Sequence, residues 1–313
     1  MAALSVLSFL YLVFFPEYAL ESTRAGLLLW YHSVLPVLFP FMLLCTLLIR
    51  FRVLERMPEF LTRPLQKVFS ISNYGSYAVI AGFLCGFPIG AKLSSDLYRE
   101  GKIDKEEARL LYGFTNNLSP VFLISYAASE QMEMPEGKIF LLFHVLGAAF
   151  LYGAFTSIIL KKRNRQKDCE GYAPIFSQNT SDTYDLIDSC IYDTVQNMVK
   201  LGVYITVFKI ISDGFFHLVP FHHPIILFLG SLIEVTGGIH MIAQSALAFP
   251  VKYILVCALC AFGGFSALAQ TVSIASFDRS TFLYYIKSRV MITLLSILLS
   301  TVFILFFFRL PFL

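Results

Sequence analysis

Gly82-Phe83-Leu84-Cys85-Gly86-Phe87-Pro88-Ile89-Gly90 interrupts one apolar region, and Asn116-Asn117-Leu118-Ser119-Pro120 interrupts the next. The pair recurs later as Gly230-Ser231-Leu232-Ile233-Glu234-Val235-Thr236-Gly237-Gly238 and Gly263-Gly264-Phe265-Ser266-Ala267. Gly82 and Asn116 stand almost as far apart as Gly230 and Gly263, so the two halves read as one unit used twice. Glycine and proline loosen a helix and free backbone groups, which at membrane depth are tolerated only inside protein or along a cavity. Matching breaks in two halves are the pattern of a transport site.

The sequence around these breaks is membrane-like. Of 313 residues, 57% are hydrophobic and only 14% charged, and the mean hydropathy is +0.70. A soluble domain of this size would not carry so few charges. The apolar runs Leu35 to Phe51, Ile139 to Leu160, Leu201 to Val219, Tyr253 to Ile274 and Val290 to Phe308 approach the roughly 20 residues that a spanning helix needs. They are too long and too uniformly apolar for barrel strands, so the expected fold class is all-α, a polytopic membrane protein. Ala2 to Phe15 lacks a basic start and a cleavage site, and residues 1–20 are expected to be an anchor or first span. The six cysteines lie mostly in apolar segments and imply no disulfide framework, and the Cys257-x-x-Cys260 pair reads as helix packing. No metal site or cofactor is expected.

Charge placement orients the chain. Arg50, Arg52, Arg56, Arg63 and Lys67 follow one span, Arg99, Lys102, Lys105 and Arg109 lie between the first two breaks, and a basic run from Lys161 to Lys167 follows another span. The positive-inside rule puts all three groups in the cytoplasm if Ser76 to Leu97 is a hairpin that enters and leaves on one side. The second hairpin, Pro224 to Ala248, then dips from outside, and Arg279, Lys287 and Arg289 fall inside. Residues 21–160 and 182–313 become inverted repeats joined by a cytoplasmic connector, 161–181. Each repeat is expected to hold an interfacial helix, a re-entrant hairpin and a broken transmembrane helix. The interfacial helices would be Glu21 to Val34 and Thr183 to Lys200, although either could simply extend the span after it. The net charge of +3 and the short basic clusters give no footprint for nucleic acid.

Several residues could bind a solute. At the first tip, Gly86 and Pro88 shape the turn and Lys92 could draw an anion or snorkel to the surface; no G-x-x-x-x-G-K-[ST] loop is present. Pro120 removes a backbone donor beside Asn116, Asn117 and Ser119, whose side chains could bind a solute. In the second half Thr236 and Gly237 follow the tip, Ser266 matches Ser119, and Gln270 lies one helical turn on. Glu234 is a carboxylate at membrane depth, where insertion costs at least ~2.5 kcal/mol, so it is the candidate for a coupling proton or cation. His144 and His240 read as packing or hydrogen-bonding groups. No H-E-x-x-H or G-x-S-x-G occurs in the spans, and an enzyme is not expected.

Gly86-Phe87-Pro88-Ile89-Gly90-Ala91-Lys92, Phe114-Thr115-Asn116-Asn117-Leu118-Ser119-Pro120, Glu234-Val235-Thr236-Gly237-Gly238 and Phe262-Gly263-Gly264-Phe265-Ser266 appear in this order along the chain. With these motifs the chain resembles the YlbJ-type sporulation integral membrane proteins, of the nucleoside-recognition (gate-domain) group related to concentrative nucleoside transporters. The resemblance implies two gate-type repeats in a bacterial inner or forespore-surrounding membrane. It also implies transport of a small anion such as dipicolinate, which Lys92 would suit. A nucleoside, better served by Asn116, Asn117, Glu234 and Gln270, is the alternative solute. A non-transporting receptor or assembly factor is the alternative function. Expected partners are the lipid bilayer, a small organic solute and a coupling proton or cation; association with further copies of the chain stays open.

Overall fold

In the computed structural model, residues 13–51, 53, 57–163, 183–218, 223–275 and 277–307 are described. Residues 1–12 of the expected anchor, 164–181 of the connector, and Arg52, Arg56 and His222 lie outside the described residues. Among the described residues there are helices and turns and no strand.

The chain opens with α1 (Pro16–Leu29), a π-helical turn over Trp30–Val34, and α2 (Leu35–Arg50). They form one uninterrupted helix from Pro16 to Arg50, so the expected separate interfacial helix Glu21 to Val34 is part of the span. Pro36 and Pro40 remove two amide donors from the early turns of α2. The wider π-turn before them shifts the hydrogen-bond register without ending the helix. The second half behaves alike: Thr183 to Lys200 continues without a break into the residues from Leu201 on as α9 (Thr183–Leu218), 36 residues with no internal proline. At 1.5 Å per residue α9 is about 54 Å long, more than a bilayer core requires.

The two long helices pack antiparallel. Tyr18 stacks on His217 at one end, and Arg50 meets Asp193 at 2.8 Å toward the other. Between them Gly202 lies under the Trp30 ring, where a Cβ would come within 2.8 Å, and Trp30 Nε1 donates to the Met198 carbonyl at 3.1 Å. Small residues let the backbones approach, which drives helix association in lipid.

A short helix, α3 (Glu59–Phe69), precedes the first hairpin and meets it at 96°. Phe60, Leu61 and Val68 are exposed beside Arg63 and Lys67, the pattern of a helix lying in the membrane interface. The sequence reading treats those cations only as topology charges.

The first hairpin is α4 (Asn73–Cys85) and α5 (Ile89–Arg99), with its tip at Gly86–Pro88 and a cis Phe87–Pro88 bond. Its base is held by Glu107, whose Oε1 accepts from the Ser72 amide and hydroxyl, each at 2.8 Å. The first broken helix is α6 (Lys105–Thr115) followed, after Asn116–Ser119, by α7 (Phe122–Gln131), which is wound as a π-helix. The spanning helix α8 (Lys138–Arg163) closes the first half. In the second half the hairpin is α10 (Pro224–Ser231) and α11 (Val235–Gln244), and the broken helix is α12 (Phe249–Phe262) and α13 (Gly264–Ile274). The hairpin legs are about 20, 17, 12 and 15 Å long, each short of a ~30 Å hydrocarbon core.

The last helix, α14 (Arg279–Phe307), packs on α12, α8 and α6. The sequence places the start of this span at Val290, with Arg279, Lys287 and Arg289 before it on the inside. The helix begins eleven residues earlier, and Arg289 is 1% exposed within it. Carbonyls freed by the first helix break draw that charge inward.

Candidate functional site

At the first break Asn116 leaves helical geometry, and the carbonyls of Gly113 and Asn116 lose their helical partners. Arg289 replaces them: Nη2 donates to the Gly113 carbonyl at 2.8 Å, and Nη1 to the Asn116 carbonyl at 2.9 Å and to Asn117 Oδ1 at 3.2 Å. Asn116 Nδ2 donates to Thr271 Oγ1 at 2.7 Å and to the Tyr285 hydroxyl at 2.9 Å. Asn117 Nδ2 returns to the Phe114 carbonyl at 2.7 Å. Both asparagines are therefore engaged in holding the break. Ser119 starts the helix beyond it, accepting from the Phe122 amide at 3.2 Å.

The second break is a backbone joint. Gly263 and Gly264 sit at φ +89° and +78°, the left-handed region that side chains disfavour. The amides this frees at the start of α13 donate to the tip of the second hairpin, Phe265 to Leu232 at 2.7 Å and Ser266 to Ile233 at 3.2 Å.

Each tip touches a break. Gly86, at φ +74°, approaches so closely that a Cβ would lie 2.5 Å from the Ser119 amide. Beside it the Phe87 ring occupies the space over Gly263, 2.6 Å from where a Cβ would stand. The first tip thus bears on the breaks of both halves. At the second tip Glu234 caps α11, its Oε1 accepting from the Thr236 amide at 3.0 Å and its Oε2 from the Gly237 amide at 2.6 Å. A carboxylate at a helix N-terminus also gains from the helix dipole. The Tyr126 hydroxyl, from the first half, donates to the Thr236 carbonyl at 2.8 Å.

Between tips and breaks lies a cavity of about 50 Å3. Ser119, Glu234, Thr236, Ser266 and Gln270 contribute its polar wall, and the long helices close it with Val34, Leu38, Leu201 and Ile205. Pro88 lines a smaller adjoining cavity. Gly86 and Gly237 make room for close packing, and Lys92 is exposed on α5 and lines neither cavity. His144 Nδ1 is 2.7 Å from the Tyr253 hydroxyl, joining α8 to α12, and Cys257 and Cys260 are buried in helix packing.

Three charged residues at membrane depth escape the sequence reading. Arg289 is one; Lys209 and Asp213, ion-paired on successive turns of α9, are the others. The Lys209 stem crosses Gly237, where a Cβ would stand 3.2 Å from its Cδ and 3.3 Å from Glu234 Oε2, so ammonium stem and carboxylate flank one helix start. The signal was present: a Lys and an Asp four residues apart inside an apolar run form an i,i+4 pair. Outside the membrane, Lys105 at the start of α6 pairs with Asp278, just before α14, at 2.8 Å. The Lys105 ammonium, and then the Thr281 hydroxyl and amide, hold the Asp278 carboxyl well below the usual carboxylate range.

Fold and site together define a multi-pass, all-α integral membrane protein with two hairpin tips closing on a largely apolar cavity that carries a few polar groups. Among curated proteins, the chain is 24% identical to the sporulation integral membrane protein YlbJ of Bacillus subtilis (strain 168). The match runs over 291 residues, 83% of this chain and 71% of that protein, and it supports the YlbJ-type assignment. No family model matches the chain, and no solved structure matches it significantly.

Proposed function

We propose that the chain is a secondary transporter of a small polar organic solute, moved between the two hairpin tips by alternating exposure of the central cavity. The observation that carries this reading is the convergence of Ser119, Glu234, Thr236, Ser266 and Gln270, from both halves, on one cavity. Ser119 and Glu234 also hold helix starts, so the weight of this reading rests on polar groups of both halves facing one shared space. The antiparallel packing of the two leading helices supports the inverted arrangement of the repeats, which alternating access uses.

About 50 Å3 holds on the order of three or four waters and no organic solute, so on this reading a tip must move to admit cargo. Among the described residues, Glu234 is the one charged side chain on the cavity wall. An anion fits beside it only after its charge is neutralised, which a coupling proton or cation does. Solute and coupling ion then enter together. A small carboxylate such as dipicolinate follows from the YlbJ-type resemblance, as does a role in spore formation. A nucleoside draws less support, because Asn116 and Asn117 already hold the helix break.

Flux of labelled dipicolinate and of other small carboxylates is to be measured in proteoliposomes with and without a pH gradient. Gradient-driven uptake that Glu234→Gln uncouples is the expected result. Absence of flux for every carboxylate and nucleoside tried, in folded wild-type protein, sinks the transporter reading.

A further inference from the structure

The smaller cavity, about 20 Å3, shares a wall with the central one: Met42, Phe87, Leu201 and Gln270 line both. Beyond that wall the chemistry changes. The charged side chain lining the smaller cavity is Lys200, with the Asn197 amide close by on the same helix, and no carboxylate lines it among the described residues. Lys200 is exposed and stands immediately before the apolar run of α9, where a lysine reaches the membrane interface. Asp193, about two turns earlier, makes its ion pair with Arg50 toward the same end. The smaller cavity therefore lies between the interface and the deeper, Glu234-lined cavity.

The wall between them is built to give way. Phe87 is only half-buried at a hairpin tip, and part of its ring rests on the bare backbone of Gly263. Met42 is buried, but it is unbranched and can change rotamer without leaving the helix. Swinging these two side chains would join the cavities without unfolding any helix.

We infer that the smaller cavity is the entry vestibule for a small anionic solute, with Lys200 as the anion-selecting residue and Phe87 as the gate to the central cavity. This deepens the transport reading and rests on it. A cation at the mouth and a carboxylate at the inner site set an order of events: the anion collects at Lys200, and passes Phe87 once Glu234 is neutralised. Lys92, the cation singled out from the tip motif, has no part in this route.

The route can be tested without knowing the solute. Ser266→Cys places a near-isosteric thiol in the central cavity, and Ser119→Cys provides a second reporter. Full-length protein in lipid nanodiscs is treated with an anionic, sulfonate-bearing methanethiosulfonate or with its trimethylammonium counterpart, and labelling at the reporter peptide is followed by mass spectrometry. Wild-type Phe87 should keep the reporter slow, and Phe87→Ala should speed labelling by about tenfold or more. In that background the sulfonate should react faster than the cation, and Lys200→Glu should cut the ratio of the two rates by about tenfold, while Lys67→Glu leaves it unchanged. No acceleration at either reporter with Phe87→Ala removes the gate. A rate ratio indifferent to Lys200→Glu removes the anion selection. Parallel flux measurements separate the two readings: labelling as expected without flux leaves an anion route and sinks transport, whereas flux without the labelling pattern sinks this route alone.

Discussion

The two helix breaks do the same job by opposite means. The second is made within its own backbone: two glycines turn the chain, and the amides they free bond the neighbouring tip. The first is made with side chains, and its loose carbonyls are held by a guanidinium that arrives from α14, far along the chain. A backbone joint can flex through glycine torsions, whereas a latch built on one buried cation is all or nothing. The second half is thus the better hinge, and the first the better anchor.

The harshest way to break this comparison is Arg289→Met, which strands two carbonyls and the Asn117 side chain. Each stranded buried acceptor costs about 1–3 kcal/mol, so a loss of roughly 2–5 kcal/mol is expected, read as a collapse of the thermal midpoint in detergent or of folded yield. Arg289→Lys should not restore it, because an ammonium cannot span Gly113 and Asn116 as the planar fork does. Next comes Gly263→Ala, which forces a side chain into left-handed backbone and into the Phe87 ring. It should cost about 1–3 kcal/mol, and Phe87→Ala should return part of that in a double-mutant cycle. Strict additivity of the two changes would mean that tip and joint do not touch.

Glu234→Gln keeps the shape of the α11 cap and removes its charge. The expected stability loss is about 0.5–2 kcal/mol, together with transport that no longer responds to a proton gradient. The smallest effect belongs to Lys105 and Asp278, an exposed pair joining the starts of α6 and α14, the two helices that the Arg289 latch connects. Because the Asp278 carboxyl is lowered in the folded state, its stabilisation is present above the ordinary carboxylate pKa and is lost as pH falls toward the lowered value. Asp278→Asn should lower the midpoint slightly at neutral pH and match wild type in strong acid; screening by salt should shrink the difference.

Much of the architecture was legible. Apolar run length and glycine-proline punctuation located the hairpins, and the helix starts at Ile89, Val235 and Gly264 follow the quoted motifs. Whether the leading stretches are separate helices stays open in the sequence, because amphipathicity reports which face is polar, not whether the helix bends; the structure makes each continuous with the helix after it. Ser119, Glu234, Thr236, Ser266 and Gln270 were named from local chemistry and meet in the cavity. Asn116 and Asn117 were named by the same logic, yet their amides turn toward Thr271, Tyr285 and Phe114. A polar residue beside a proline signals a broken helix equally well whether a ligand or another helix completes the hydrogen bonds.

The sequence by itself determined that this chain lives in a membrane, that it is helical, and where its backbone must come apart. Those are consequences of composition and of the torsional limits of glycine and proline, which act within a few residues. Only the tertiary structure decided what repairs each break: Arg289, placed by charge counting in a loop, folds inward because carbonyls more than a hundred residues earlier have no other donor. The same long-range packing set Lys209 across Gly237, Phe87 over Gly263 and Lys200 on the wall of the smaller cavity. Hydrogen-bond satisfaction in lipid is settled between helices, and that partnership is not written in any single stretch of the chain.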